Sequence, residues 1–90
     1  MATERRIDVR ALEPPEPLEL ALEMAHGLQP GEYLRMLHRR EPFPLYRLLE
    51  QDGLRYRLLT DGEAPFEILI WRAGDSAVEN ALQRIINPRV

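Results

Sequence analysis

The spacing of the prolines constrains this chain more than any other feature. Eight of the 90 residues are proline, at positions 14, 15, 17, 30, 42, 44, 65 and 88. Each lies at the edge of a stretch of regular hydrophobic periodicity. Proline fixes φ and has no N–H for a ladder or a helix interior, so these positions act as boundaries. The segments between them can be read one at a time.

Ile7, Val9 and Ala11 alternate with Arg6, Asp8 and Arg10, which predicts a strand that stops at Pro14-Pro15-Glu16-Pro17. Pro17 suits the first position of a helix. Leu18, Ala21, Leu22, Ala25 and Leu28 then recur at helical spacing, with Glu19, Glu23 and His26 on another face. Pro30-Gly31 turns the chain into a second strand, Glu32 to His38, with Leu34 and Met36 on one side and Tyr33, Arg35 and Leu37 on the other. Pro44 stands near the start of a second helix whose buried stripe is Leu45, Leu48 and Leu49, and Gly53 follows it where a left-handed residue is needed.

Leu54, Tyr56 and Leu58 alternate with Arg55, Arg57 and Leu59 in a third strand; Asp61 to Pro65 is a turn. Phe66, Ile68 and Ile70 alternate with Glu67, Leu69 and Trp71 in a fourth. Ser76 with Glu79 reads as a capping box, helped by the charge of Asp75. The last helix then carries Val78, Ala81, Leu82 and Ile85 and stops at Asn87-Pro88. No internal repeat stands out in this order.

The order is βαβαββ. Right-handed crossovers put both main helices on one face of a mixed four-stranded sheet. The predicted fold is an α+β two-layer sandwich over residues 1–74, with a C-terminal amphipathic helix and tail at 75–90. The sheet's other face carries Tyr33, Arg35, Leu37, Arg55, Arg57, Leu59, Leu69 and Trp71, too much apolar surface to leave wet. Either the tail helix or a second subunit is expected to cover it.

Composition narrows the chemistry. All 12 basic residues are arginine, and there is no cysteine. Disulfides, thiolate nucleophiles, Fe–S clusters, Cys-ligated zinc, Schiff bases and a P-loop lysine are therefore excluded. Fifteen acidic residues give a net charge of −3 and no overall basic field for DNA or anionic lipid. No apolar run reaches the roughly 18–20 residues of a membrane span. The polar residues 1–6 give no targeting signal, so the cytoplasm is the expected compartment. Thr3, Thr60 and Ser76 have no adjacent histidine, so no hydrolase constellation forms, and Asp61 and Glu63 lie in a turn. No catalytic residue is assigned.

Three candidate sites remain. The first is the edge where strands one and two hand over to helices one and two: Arg10, Pro14, Pro15, His38, Arg39, Arg40 and Phe43. Two helix N-termini there would offer free N–H groups to an anion or to a partner's carboxylate. The second is His38 itself, at the end of strand two, as a ligand to haem or metal; apart from that candidate no cofactor is expected. His26 with Glu19 and Glu23 is a weaker metal candidate. The third is the open sheet face, where Tyr33, Arg35, Arg55, Arg57, Leu69 and Trp71 interleave arginine with aromatic rings. Single-stranded RNA binders use that combination, and so do protein interfaces. The net charge argues against RNA, leaving a protein partner or self-association as the expected partner class.

Ile7-Asp8-Val9-Arg10-Ala11-Leu12-Glu13-Pro14-Pro15-Glu16-Pro17 resembles the opening of the TusA/SirA-like sulfur-carrier family, whose members read Leu-Asp-x-x-Gly-Leu-x-Cys-Pro-x-Pro there. Leu28-Gln29-Pro30-Gly31-Glu32 resembles that family's turn into the second strand. The resemblance spans about residues 6–72 and implies the same two-layer fold. Ala11 replaces the family's glycine, and Pro14 stands where the family keeps the cysteine that carries sulfur, so persulfide transfer by this chain is excluded. Glu-Pro-Pro-x-Pro early and Pro-x-Pro-Leu before the second helix are closer to a cysteine-less, uncharacterised bacterial branch, often found beside hemerythrin-like domains and in respiratory or nitrogen-oxide settings. The resemblance implies a non-enzymatic binding or regulatory module; the alternative is an accessory to sulfur, redox or nitrogen-oxide metabolism that binds haem or metal through His38.

Overall fold

The computed structural model describes residues 2–87. In chain order the elements are β1 (Thr3–Asp8), α1 (Glu16–His26), β2 (Glu32–His38), α2 (Phe43–Gln51), β3 (Leu54–Leu59), β4 (Phe66–Arg72) and α3 (Ser76–Ile86). The four strands form one mixed sheet in the order β1-β2-β4-β3. β1 runs parallel to β2, with Ile7 opposite Met36. β4 is antiparallel to both neighbours, with Met36 and Leu58 both opposite Ile68. This is the predicted α+β sandwich with α1 and α2 on one face.

The register sorts the side chains by face, as the pleat requires. Leu34, Met36, Leu54, Ile68 and Ile70 face α1 and α2 and form one buried cluster with Ala21, Ala25, Leu45 and Leu49. Leu18, Leu22 and Tyr56 pack on it half-buried. Tyr46 of α2 stacks on Tyr56 of β3 with ring centroids 4.3 Å apart. Leu48, predicted in the buried stripe of α2, is only half-buried.

Four boundaries depart from prediction, the first being the start of β1, at Thr3 rather than at Arg6. β1 ends at Asp8 rather than Ala11. Val9 still donates to the Leu37 carbonyl at 2.9 Å. The Asp8 carboxylate then accepts from the Arg10 N–H at 3.1 Å, and Leu12 N–H reaches back to Val9 O. Such a side-chain-to-backbone turn competes with the ladder and ends it. α1 starts at Glu16, so Pro17 is second rather than first in the helix. The N-cap of α3 is Asp75, not Ser76: Asp75 Oδ1 accepts from Val78 N–H at 3.2 Å and Oδ2 from Gly31 N–H at 2.8 Å. Glu79, expected to complete a capping box, instead accepts from the Trp71 indole N–H at 3.1 Å.

α3 lies on the second face of the sheet. Val78 and Leu82 form a second buried cluster with Tyr33, Leu69 and Trp71. The apolar surface predicted to need cover is therefore covered within one chain. The other end of this face is closed by residues 60–65 around Glu67. That carboxylate is 3% exposed; it accepts from Arg35 Nη1 at 2.7 Å and from Ala64 N–H at 3.1 Å. Arg35 also donates to Glu4 at 2.9 Å. A Cβ at position 62 would run into the Glu67 carboxylate, so glycine lets the turn close over it.

Candidate functional site

β1 and β2 are adjacent and parallel, so the chain leaves both at the same end of the sheet and passes into α1 and α2 side by side. The two helix starts share a local motif: Pro15-Glu16-Pro17-Leu18 opens α1, and Pro42-Phe43-Pro44-Leu45 opens α2. Pro15 and Pro42 are the N-caps, and neither helix has a side-chain cap. The Pro14–Pro15 peptide is cis. Between the two helix starts lies a pocket of about 260 Å³, walled by Pro14, Pro15, Pro17, Pro42, Pro44, Leu18 and Leu45, with His38, Arg40 and Glu41 as its polar lining. The duplicated Pro-x-Pro-Leu is a short internal repeat that periodicity alone passes over, and it is the signal that would have found Pro17, Leu18, Pro42, Pro44 and Leu45.

The predicted cradle of free helix N–H groups is largely lost. Proline contributes no N–H at Pro15, Pro17, Pro42 or Pro44. Of the remaining groups, Glu16 N–H bonds to Glu13 O, Phe43 N–H to Glu41 O and Leu45 N–H to Pro42 O. The walls are apolar because most first-turn donors are missing or spent; Leu18 N–H, in the first turn of α1, is left without a partner among the described residues.

The predicted arginine cluster separates. Arg10 is held by Asp8, with Nη2 to Oδ2 at 2.6 Å, and lies 3.6 Å from Glu63. That contact holds the Asp8 carboxyl down at about 2. Arg39 donates to Glu13 at 3.1 Å and to Leu12 O at 3.4 Å, bracing the β1–α1 loop. Only Arg40 lines the pocket, and it has no ion-pair partner among the described residues. Phe43 lies outside the lining; it is 67% exposed and meets Tyr46 edge-on at 6.2 Å.

His38 lines the pocket beside Arg40 and Glu41 and is only 8% exposed. Arg40 N–H donates to its Nδ1 at 3.3 Å. A backbone N–H can only donate, so Nδ1 is the acceptor and the neutral ring carries its proton on Nε2. Nε2 has no partner. Among the described residues Arg39 Nε is the side-chain atom both sealed from solvent and unpartnered; His38 Nε2, unpartnered among them, is therefore not sealed, and His38 lines the pocket. Burial lowers the His38 pKa from its ordinary value, and the charges of Arg39 and Arg40 lower it further. The ring is neutral near pH 7 and presents an N–H donor.

The other candidates are elsewhere. His26 bonds Asp52 at 2.7 Å on the surface, away from the predicted Glu19/Glu23 set. On the second sheet face Tyr33, Leu69 and Trp71 are 7%, 0% and 8% exposed beneath α3, so neither ring offers a stacking surface. Arg35 is committed to Glu4 and Glu67, and only Arg55 and Arg57 of that set remain exposed.

A family model described as "Uncharacterized conserved protein (DUF2249)" matches residues 6–72, which hold both helix starts, the pocket and all of the sheet except the start of β1. No curated protein and no solved structure matches the chain.

Proposed function

The chain belongs to the uncharacterized conserved family DUF2249, and we propose that it is a non-enzymatic binding module built on a TusA-like scaffold. The observation that carries this reading is the unpartnered Nε2–H of His38, a residue that lines a proline-walled pocket. A sulfur carrier needs a thiolate at the start of α1, and Pro14 supplies neither sulfur nor a titrating proton. What occupies that position instead is a wall of an apolar pocket.

The pocket selects its occupant by size and polarity. Its 260 Å³ equals the liquid share of roughly nine waters. The occupant is an apolar group of about nine heavy atoms that ends in a hydrogen-bond acceptor, taken from the side chain or terminus of a partner protein. The acceptor meets His38 Nε2–H, and Arg40 favours a carboxylate there. Exposed Phe43, between Pro42 and Pro44 in the chain, gives the partner an apolar contact outside the pocket. Metal ligation through His38 fits less well. It would move the ring proton to Nδ1, facing the N–H of Arg40, and two donors would then oppose each other.

Benzoate is the test probe, with toluene as the control that lacks an acceptor. In NMR titrations benzoate should shift His38 Nε2 and the Leu18 and Leu45 methyls. His38→Phe, which keeps ring volume but loses the donor, should weaken benzoate about tenfold, the worth of one hydrogen bond. Equal binding of toluene, or unchanged affinity in His38→Phe, would refute the reading.

A further inference from the structure

We propose that the free edge of β3 is a second binding site, which takes an extended acidic peptide as a fifth strand. β3 is the last strand of the sheet, and no strand among the described residues pairs with its outer side. Around that edge runs a groove of about 770 Å³, lined by Arg55, Tyr56 and Arg57 of β3, Trp71 of β4, Gln83 and Ile86 of α3, and Glu50 at the end of α2. An edge strand offers a row of unmatched N–H and C=O groups, and a groove alongside it gives room for a strand's side chains.

The charge on the two sheet edges differs. At the β1 edge every charge has a partner: Arg5 with Glu32, Arg6 with Glu63, Arg10 with Asp8, and Glu4 with Arg35. At the β3 edge Arg57 has no ion-pair partner among the described residues, and Arg55 reaches only Glu79, at 3.9 Å. Two exposed guanidinium groups two residues apart on one strand face match carboxylates at alternate positions of an added strand. Glu50 lines the groove and Glu79 lies beside Arg55, so Arg57 is the guanidinium of this edge that a carboxylate of the added strand would meet unopposed.

Other occupants fit worse. A second copy pairing β3 with β3 would bring Arg55 and Arg57 against themselves, and like charges opposite one another destabilise the pair. Nucleic acid would use the arginines but not the ladder, and Tyr33 and Trp71 are too buried to stack on bases.

The test uses a synthetic peptide of alternating Glu and Val, its Lys–Val counterpart, and a Glu–Val peptide N-methylated at alternate residues to abolish ladder pairing. Binding to the full chain is followed by Trp71 fluorescence and by amide shifts along β3. The Glu–Val peptide should bind, and affinity should fall as salt rises. Arg55→Glu with Arg57→Glu should cost at least about tenfold. Because Arg55→Glu also meets Glu79, the pair Arg55→Gln and Arg57→Gln is measured beside it and should lose affinity in the same direction with the melting temperature unchanged. The proposal is overturned by no saturation at about 1 mM Glu–Val peptide, equal binding of the Lys–Val or N-methylated peptide, preferential binding of oligouridine, or β3 shifts that track self-association by sedimentation.

Discussion

Replacing Glu67 with alanine should be among the most damaging single changes outside the two apolar cores. The carboxylate is 3% exposed and holds two donors, Arg35 Nη1 at 2.7 Å and Ala64 N–H at 3.1 Å. Two hydrogen bonds to a charged group contribute roughly 1.5–3 kcal/mol each. The relieved desolvation of the carboxylate offsets part of that loss. Arg35 keeps its bond to Glu4 and has a side chain 17% exposed, so water and one anion remain to it. Ala64 N–H, on a residue only 3% exposed, is left without its acceptor. The expected net loss is about 3 kcal/mol, the lower end of what breaking a buried pair costs. In a domain of this size that lowers Tm by roughly 12–24 °C.

The pH dependence gives an independent check. Burial alone would raise the Glu67 carboxyl, but the Ala64 N–H, Arg35 and the Glu63 N–H together hold it below its ordinary value of 4.5. A folded pKa below the unfolded one gives stability that is fully present above the unfolded value and is lost as pH falls through the folded one. Glu67→Gln keeps an acceptor for Ala64 but cannot titrate, so it should cost only about 1–2 kcal/mol near pH 7 and should flatten the acid limb below pH 4.5. Thermal melts of wild type, Glu67→Ala and Glu67→Gln from pH 2.5 to 8 measure both effects. A loss under about 1 kcal/mol in Glu67→Ala, or identical acid limbs in wild type and Glu67→Gln, would refute the reasoning.

Three further outcomes are expected. Asp75→Ala should lower Tm clearly, because it frees both Val78 N–H and Gly31 N–H, whereas Ser76→Ala should leave Tm unchanged; calorimetry separates the two. The Asp8 carboxyl should titrate near 2 by carbon NMR, and Arg10→Gln should return it toward 3.8, since the Arg10 guanidinium is the largest influence on it. Nitrogen NMR should show the neutral His38 ring protonated on Nε2 and its titration shifted below that of an ordinary histidine, and protein from haem-supplemented cells should show no Soret band that depends on His38.

The elements are legible in the sequence because each carries one clean period between proline or glycine boundaries, and because every strand but β1 has a well-covered apolar face. The end of β1 is not legible: Val9 and Ala11 extend the alternation while Asp8 captures the Arg10 backbone, and a local side-chain bond outcompetes the pattern. Asp75 reads as an accessory to Ser76 because adjacent capping residues are ambiguous in sequence, and only the reach to Gly31, 44 residues away, decides between them. At the candidate site, His38, Pro14 and Pro15 stand out by their place at the strand-to-helix handover. The arginines cannot be sorted that way. Asp8 takes Arg10 and Glu13 takes Arg39; that this leaves Arg40 as the one of the three without an ion-pair partner among the described residues is visible only in three dimensions.

The prolines that mark these boundaries also decide what the site can bind. A helix N-terminus usually attracts anions through its first free N–H groups and its dipole. At α1 and α2 the first-turn prolines remove donors while leaving the axes of both helices aimed at the same end of the sheet. The field of the helix ends persists, but the cage of hydrogen bonds that would hold a bare phosphate or a thiolate does not. The His38 ring, the Arg40 and Glu41 side chains and the Leu18 N–H are the polar groups that remain among apolar walls. That combination disfavours a small, strongly hydrated ion, which would lose its water and gain few contacts. It favours an apolar group that needs only one hydrogen bond at its tip. Restoring donors should therefore invert the preference: Pro17→Ser with Pro44→Ser, which puts back two N–H groups and two capping-type hydroxyls, should weaken benzoate and introduce binding of inorganic phosphate. A double variant that still prefers benzoate over phosphate would mean that the wall shape, and not the missing donors, sets the selectivity.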